Sequence, residues 1–330
     1  MRGAAGASVV VVGSLIDITD IRAAAERIAP HLLRTPTLPS PGLTAHLGVP
    51  VTLKLELLQR SGSFKARGAF AKVLSLSEAE RAAGIVAVSG GNHGIAVADA
   101  AGALGVTATV VMPESAPARS VAIARGAGAQ VRLTPTMDGA FALLAELVTG
   151  GATLVHPFDD PLVIAAQGTA GLEFATDAPA VTDVLVSVGG GGLIAGVATA
   201  FRALAPHVRV WGVETEGADA MSRALAAGEP VPTPLSSIVT TLSAPAVSDL
   251  TLEHARELLA GVLVVSDAEA VAGTVALAEH AKLWTEPAAG CLVPAARRVV
   301  EQVGEEAHLG LLVCGGNATF ADVALWVGAR

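Results

Sequence analysis

Short apolar segments alternate with longer alanine-rich ones along most of this chain, and three of the joins carry glycine clusters. The short segments are Val51 to Leu55, Gly84 to Val88, Thr107 to Met112, Gln130 to Leu133, Asp183 to Val188, Arg209 to Val213 and Leu309 to Val313. Several are apolar at every position rather than at every second one, which is the pattern of parallel strands covered on both faces. Between them lie segments of helical period, such as Ile95 to Leu104 and Val121 to Ala127. A first helix is predicted over Asp17 to Ala29, where Ile18, Ile21, Ala25 and Ile28 share a face and Pro30 stops it. The proline-rich Pro36 to Pro41 reads as extended chain, and Gly228 to Pro234 as a surface loop. The alternation predicts an open, doubly wound α/β architecture, and 330 residues are enough for roughly two domains.

The glycine clusters are "SGGNHG" at 89–94, "GGGGLIAG" at 189–196 and "CGGN" at 314–317, each just after a strand. Ligands in such sheets bind outside the carboxyl ends of the strands, so three clusters can form three walls of one pocket. GGGGLIAG opens a helix. Its backbone N–H groups can close around an anion, or the glycines can serve only a tight strand–helix turn. No Gly-Lys-Ser/Thr follows, so it is not a P-loop. Gly190, Gly192 and Ala195 do satisfy a loose dinucleotide pattern, and Glu214 at the end of the next strand stands where a ribose-binding acid would. SGGNHG can cap a helix or hold a carboxylate or ring hydroxyl. His93 alone reads equally as a core histidine, and Cys314 as an inert buried thiol.

"SGSFKARGA" at 61–69 sets one lysine, Lys65, among small residues. A solvated lysine needs no such company, whereas one approached by a flat ligand does. A lysine in a small-residue pocket, a phosphate cup and polar groups for a planar ring together describe pyridoxal phosphate, whose lysine must be partly desolvated to react as a free amine. Composition narrows the partners. With a formal net charge of −9 and no basic run, nucleic acid and anionic membrane surfaces are disfavoured. The apolar run Val9 to Val12 is too short for a membrane span, and residues 1–14 read as a leader. Two isolated cysteines and eight scattered histidines give neither a disulfide framework nor a metal pattern, so a cytoplasmic protein is expected.

These four motifs, in this order, resemble the fold-type-II pyridoxal-phosphate enzymes, which are tryptophan synthase β-like. Similarity is greatest to serine/threonine dehydratases (ammonia-lyases) and serine racemases, and "HPFDDPLVIAAQGTAGLE" from His156 to Glu173 adds to it. The resemblance covers about residues 17 to 320. It implies a large cofactor domain from residues 15–54 and 153–330, and a small mobile domain from 55–152. It also implies pyridoxal 5'-phosphate as cofactor, a small amino-acid substrate and a homodimer. Lys65 would hold the cofactor and move protons, with Phe64 beside the ring. Asn92 would bond the ring hydroxyl, and Gly189, Gly190, Gly191, Gly192 and Leu193 would hold the phosphate. Cys314 would face the pyridine nitrogen, with Glu286 near the ring edge. Ser89, Gly90, Gly91, Asn92 and His93 would bind the substrate carboxylate.

The chain departs from the family pattern in places. Gly90 stands where racemising relatives carry a serine, which removes the second acid/base. Glu214 and Ala218 fit the family's divalent-cation site, but Ala220 replaces its aspartate and Asp219 is one residue off; no metal ligand is assigned. No regulatory domain is expected after the catalytic one. The expected activity is removal of water from L-threonine or L-serine, giving a 2-oxo acid and ammonia. Serine racemisation and 3-hydroxyaspartate ammonia-lyase activity are the alternatives on this fold. Outside it stand a nicotinamide-dependent oxidoreductase and a ligand sensor, which would not need Lys65. Hydroxyls but no charge in "SSIVTTLSAPAVS", Ser236 to Ser248, favour serine or threonine over hydroxyaspartate.

Overall fold

The structure, a computed structural model, describes residues 15–328; the leader expected over 1–14 lies outside the described residues. Two sheets organise the chain. The larger has six strands: β1 (Thr37–Pro39), β2 (Val51–Leu55), β7 (Asp183–Ser187), β8 (Arg209–Thr215), β9 (Gly261–Val265) and β10 (Leu309–Val313), in the order β1-β2-β10-β7-β8-β9. Only β1 pairs antiparallel. The smaller is all parallel, in the order β5-β4-β3-β6, from β3 (Ile85–Val88), β4 (Ala108–Pro113), β5 (Gln130–Thr134) and β6 (Thr153–Leu154). Helices cover both faces, so β2, β7 and β10 are buried at every residue.

All seven expected strands form, within two residues of their expected ends. β1, β6 and β9 were not expected. β1 is three residues inside a proline-rich stretch and β6 only two, while β9 follows a helix without a break in apolar character. The first helix is Ile18–Ile28, started by an Asp17–Asp20 capping box. We propose the two sheets as the two domains. Thr153 and Leu154 then belong to the small one, because they pair with Ile85 and Val86, and the boundary drawn before residue 153 moves two residues along. Among the described residues no helix is long and apolar enough to cross a membrane.

Between the sheets runs helix Lys65–Leu74, buried from Ala66 to Ala71, packed on helix Pro161–Asp177 on one side and helix Asn92–Leu104 on the other. Its first residue is the lysine singled out by sequence. The fold thus delivers Lys65 to the junction onto which β3, β7 and β10 open.

Candidate active site

Lys65 is anchored from the large sheet. The Phe64 N–H donates to the Cys314 carbonyl at the end of β10, and Ser63 bridges to Gly315. Its Nζ donates to the Pro157 carbonyl at 2.9 Å and lies 5.1 Å from the Phe64 ring centre. Burial pulls the amine down from 10.5 to about 8, a pull that Cys314 partly opposes. About a tenth of the amine is therefore neutral at pH 7, and a rising share above it, as an attacking amine requires.

The end of β7 forms the cup. Gly191 adopts φ +90°, which L side chains avoid, and caps helix Gly192–Leu204 without any side-chain bond. Ten of that helix's thirteen residues are buried. Its first turn thus points unpaired N–H groups at an enclosed space, where an anion would satisfy them. A Cβ at Gly190 would sit 2.1 Å from the Phe158 ring, and one at Gly189 3.0 Å from the Leu242 carbonyl. Gly190→Val is therefore expected to lower cofactor retention at least about tenfold. The folding cost of overpacking should stay near 1–3 kcal/mol. Absorbance after dialysis, compared with far-ultraviolet dichroism, separates the two; undiminished retention would leave the loop a packing device only.

The third wall is β10 with its partners. Cys314 Sγ lies 4.0 Å from Ser187 Oγ, which in turn donates to the Ala288 carbonyl. Burial, with Glu286 and Cys291 nearby, pushes the Cys314 thiol well up, so it stays neutral. Glu286 is buried and its carboxyl is raised to about 7 by desolvation, against the Asn92 hydrogen bond at 2.7 Å. The hydroxyls of Ser61, Ser63 and Thr285 are buried beside these groups with no partner. Orphaned hydroxyls next to an enclosed amine, a neutral thiol and an uncapped helix are what a polar, phosphorylated ring would complete. The residues fit pyridoxal phosphate.

The SGGNHG loop closes the site from the small sheet. The Gly91 N–H donates to Ser89 Oγ, and Gly91 caps helix Asn92–Leu104 with no side-chain bond. A Cβ at Gly90 would meet Ala116 at 2.9 Å, and one at Gly91 would meet Thr241 at 3.6 Å. His93 is turned away: its Nε2 bonds the Val155 carbonyl, and burial together with Lys65 lowers it to about 3. A neutral ring fixed to the chain after β6 leaves His93 only its backbone for the loop.

Glu214 is engaged within the fold. Its oxygens accept from the Met221 N–H, the Ser222 N–H and the Ser222 hydroxyl, while Asp219 pairs with Arg223 at 2.8 Å. Among the described residues no group of three or more His, Cys, Asp or Glu side chains could hold a metal ion.

A family model described as pyridoxal-phosphate dependent enzyme matches residues 28–315. The chain belongs to that family. It is 38% identical over 320 residues to an L-threonine ammonia-lyase of Geobacter sulfurreducens, covering 95% of this chain and 78% of that one. It is 39% identical over 319 residues to a phenylserine dehydratase of Ralstonia pickettii, covering 96% and 97%. The solved structure of a serine racemase from maize superposes with a TM-score of 0.88 at 32% identity, covering 96% of this chain and 97% of that one. Pyridoxal 5'-phosphate is the cofactor, and the nicotinamide and sensor alternatives fall.

Several residues of the site carried no role in the sequence reading. Pro157 accepts from Lys65, Phe158 roofs the cup, Thr241 faces Gly91, and Asn317 bonds Asn92. All four lie inside stretches already marked: Pro157 and Phe158 in HPFDD, Asn317 in CGGN and Thr241 in the loop from Ser236 to Ser248. Their roles depend on backbone carbonyls and on contacts between distant loops, which residue type does not announce.

Proposed function

We propose that this enzyme removes water from L-threonine or L-serine and releases a 2-oxo acid and ammonia. The observation that carries the reading is Lys65, an enclosed amine beside a neutral thiol. When bound, pyridoxal phosphate supplies an electron sink for the pair left at the substrate Cα. The amides of Gly189 to Gly192 and Leu193 would hold the phosphate, and Phe64 would flank the ring. The Ser89 to Asn92 turn receives the substrate carboxylate at an uncapped helix start. Lys65 would take the Cα proton and deliver a proton to the departing β-hydroxyl, which leaves as water. The resulting unsaturated amine takes up water and gives the 2-oxo acid and ammonia. The neutral Cys314 thiol would face the ring nitrogen, where it could not hold a proton as a carboxylate would.

Relatives with threonine in their names support the substrate class. The loop from Ser236 to Ser248 brings Thr241 to Gly91 and contributes no cation for a second carboxylate. Racemisation needs an acid on the face away from Lys65, and Gly90, closed by Ala116, offers none. The expected products from L-serine are pyruvate and ammonia with little D-serine. Chiral chromatography beside a keto-acid assay checks this; D-serine forming faster than pyruvate overturns it. Because Ala116 fills the space at Gly90, racemase activity should be gained by Gly90→Ser only together with Ala116→Gly. We further infer a cytoplasmic homodimer. Exposed Leu33, Leu38 and Leu58, close to edge strand β1 in sequence or in the sheet, favour self-association, and the two buried free thiols favour a reducing compartment. Sedimentation tests the dimer.

A further inference from the structure

Asn92, from the small sheet, is gripped by two residues from the large one. Its Nδ2 donates to Glu286 Oε1 at 2.7 Å, and its Oδ1 accepts from Asn317 Nδ2 at 2.8 Å. Asn317 Nδ2 also donates to the Ser61 carbonyl at 2.8 Å, and its Oδ1 accepts from Arg119 Nη1 at 3.4 Å. The orientation of both amides follows from the chemistry at the ends of this chain of bonds. A peptide carbonyl only accepts, so the Asn317 atom at Ser61 is the nitrogen; a guanidinium only donates, so the atom at Arg119 is the oxygen. The second Asn317 N–H then meets Asn92, whose facing atom has to be oxygen. That sets the Asn92 nitrogen against the Glu286 carboxylate. With its oxygen on Asn317 and one N–H on Glu286, Asn92 keeps one N–H free.

The turn that carries the Ser61 carbonyl is unusual. Ser61 takes φ +63° and Gly62 φ +74°, and a Cβ at Gly62 would lie 2.6 Å from Asn317 Oδ1. A serine in that region is strained, so surrounding bonds must hold it. Asn317 is one of them, and the Gly316 N–H on the Gly62 carbonyl is another.

We propose that Asn317 is a positioning residue, which locks the Asn92 amide so that Asn92 presents an N–H and not its carbonyl to the ring oxygen of the cofactor. An N–H favours the ionised ring oxygen; a carbonyl would favour the protonated one. Glu286 alone does not fix this choice. Its carboxyl, raised by burial to about 7, can accept from an amide N–H when ionised or donate to an amide oxygen when protonated. Asn317 keeps one orientation through that change. The proposal rests on Asn92 being the ring-hydroxyl residue of the proposed site.

The test is the absorption spectrum of purified holoenzyme before substrate, which separates the ionised-ring band at long wavelength from the neutral-ring band at short wavelength. Asn317→Asp sets an acceptor against the Asn92 oxygen and should turn the amide over. Most of the long-wavelength band is expected to move to short wavelength, with cofactor affinity about tenfold weaker. Asn317→Leu removes the lock without adding charge. It should lower the long-wavelength share, and it decides the question if the aspartate variant does not fold. Unchanged spectra in both variants, with only thermal stability reduced, would make Asn317 a packing residue and overturn the proposal. Asn92→Ala tells the two failures apart. If it shifts the spectrum while the Asn317 variants do not, the proposal alone falls; if it too leaves the spectrum unchanged, the reading of Asn92 falls with it.

Discussion

Lys65→Ala is expected to lower kcat by at least about 10³-fold and to remove any borohydride-fixed cofactor from the peptide that contained it. Both effects follow from the position of one amine. Neither neighbouring lysine is free to replace it: Lys54 is tied to Glu173 inside the core, and Lys72 pairs with Asp160. The amine also leaves a thermodynamic signature in the apoprotein. Unfolded, it titrates near 10.5; folded, burial lowers it to about 8. Between these values the unfolded chain holds the extra proton, so stability rises with pH across that window and is flat below it. Lys65→Met removes the buried charge. It should be the more stable protein at pH 7, by roughly 2–3 kcal/mol allowing for the amine's residual exposure, and should lose that advantage as pH approaches 10.5. Denaturant unfolding of both apoproteins at several pH values measures this. A Lys65→Ala enzyme within tenfold of the parent, with cofactor fixed elsewhere, would refute the assignment.

The sequence made legible those parts of the site where chemistry and chain position coincide. Glycine clusters after strands marked all three walls because parallel sheets present their ligand side at strand ends, and the apolar runs that locate the strands are long enough to read. Lys65 stood out by its neighbours. What stayed hidden depends on pairings across the chain. β6 is a strand only because Thr153 and Leu154 meet Ile85 and Val86. Phe158 reads as an ordinary apolar residue until its ring is found against Gly190. Asn317 looks like the end of a glycine turn until it reaches Asn92, 225 residues away. His93 shows the opposite limit: a chemically apt residue in the expected loop whose ring is committed to a backbone carbonyl.

Arg67→Met tests the frame that holds Lys65 in place. Two residues beyond the lysine, Arg67 is 1% exposed and forks into two carboxylates. Its Nε and Nη2 donate to Glu56 at 2.8 and 2.7 Å; its Nη1 and Nη2 donate to Glu173 at 2.8 and 3.0 Å, and Nη1 also to Thr169 at 2.9 Å. Lys54 joins Glu173 at 2.5 Å, balancing two cations with two carboxylates. The cluster ties the Lys65 helix to β2, through Lys54 and through Glu56 just past the strand's end, and to helix Pro161–Asp177. The chain leading into that helix carries the Pro157 carbonyl that receives the lysine amine. Burial by itself would raise Glu56, but the Arg67 charge and hydrogen bonds, helped by Thr35 and Lys54, hold its carboxyl below the ordinary range. Methionine keeps much of the length and none of the charge, so buried Glu56 and half-buried Glu173 are left to one lysine. The expected loss is about 3–5 kcal/mol of unfolding free energy, the usual result of removing one partner from a buried ion cluster. Arg67→Lys should fall between, because a single ammonium cannot serve both carboxylates in a fork. The pH dependence gives a second reading. With Glu56 held low, its contribution is present above the unfolded carboxylate range and is lost as pH falls through the folded value; Arg67→Met should flatten that acid limb. Urea unfolding of the apoproteins at neutral and acid pH measures both effects. A methionine variant within about 1 kcal/mol of the parent, with the same acid limb, would show that these contacts do not hold the helix.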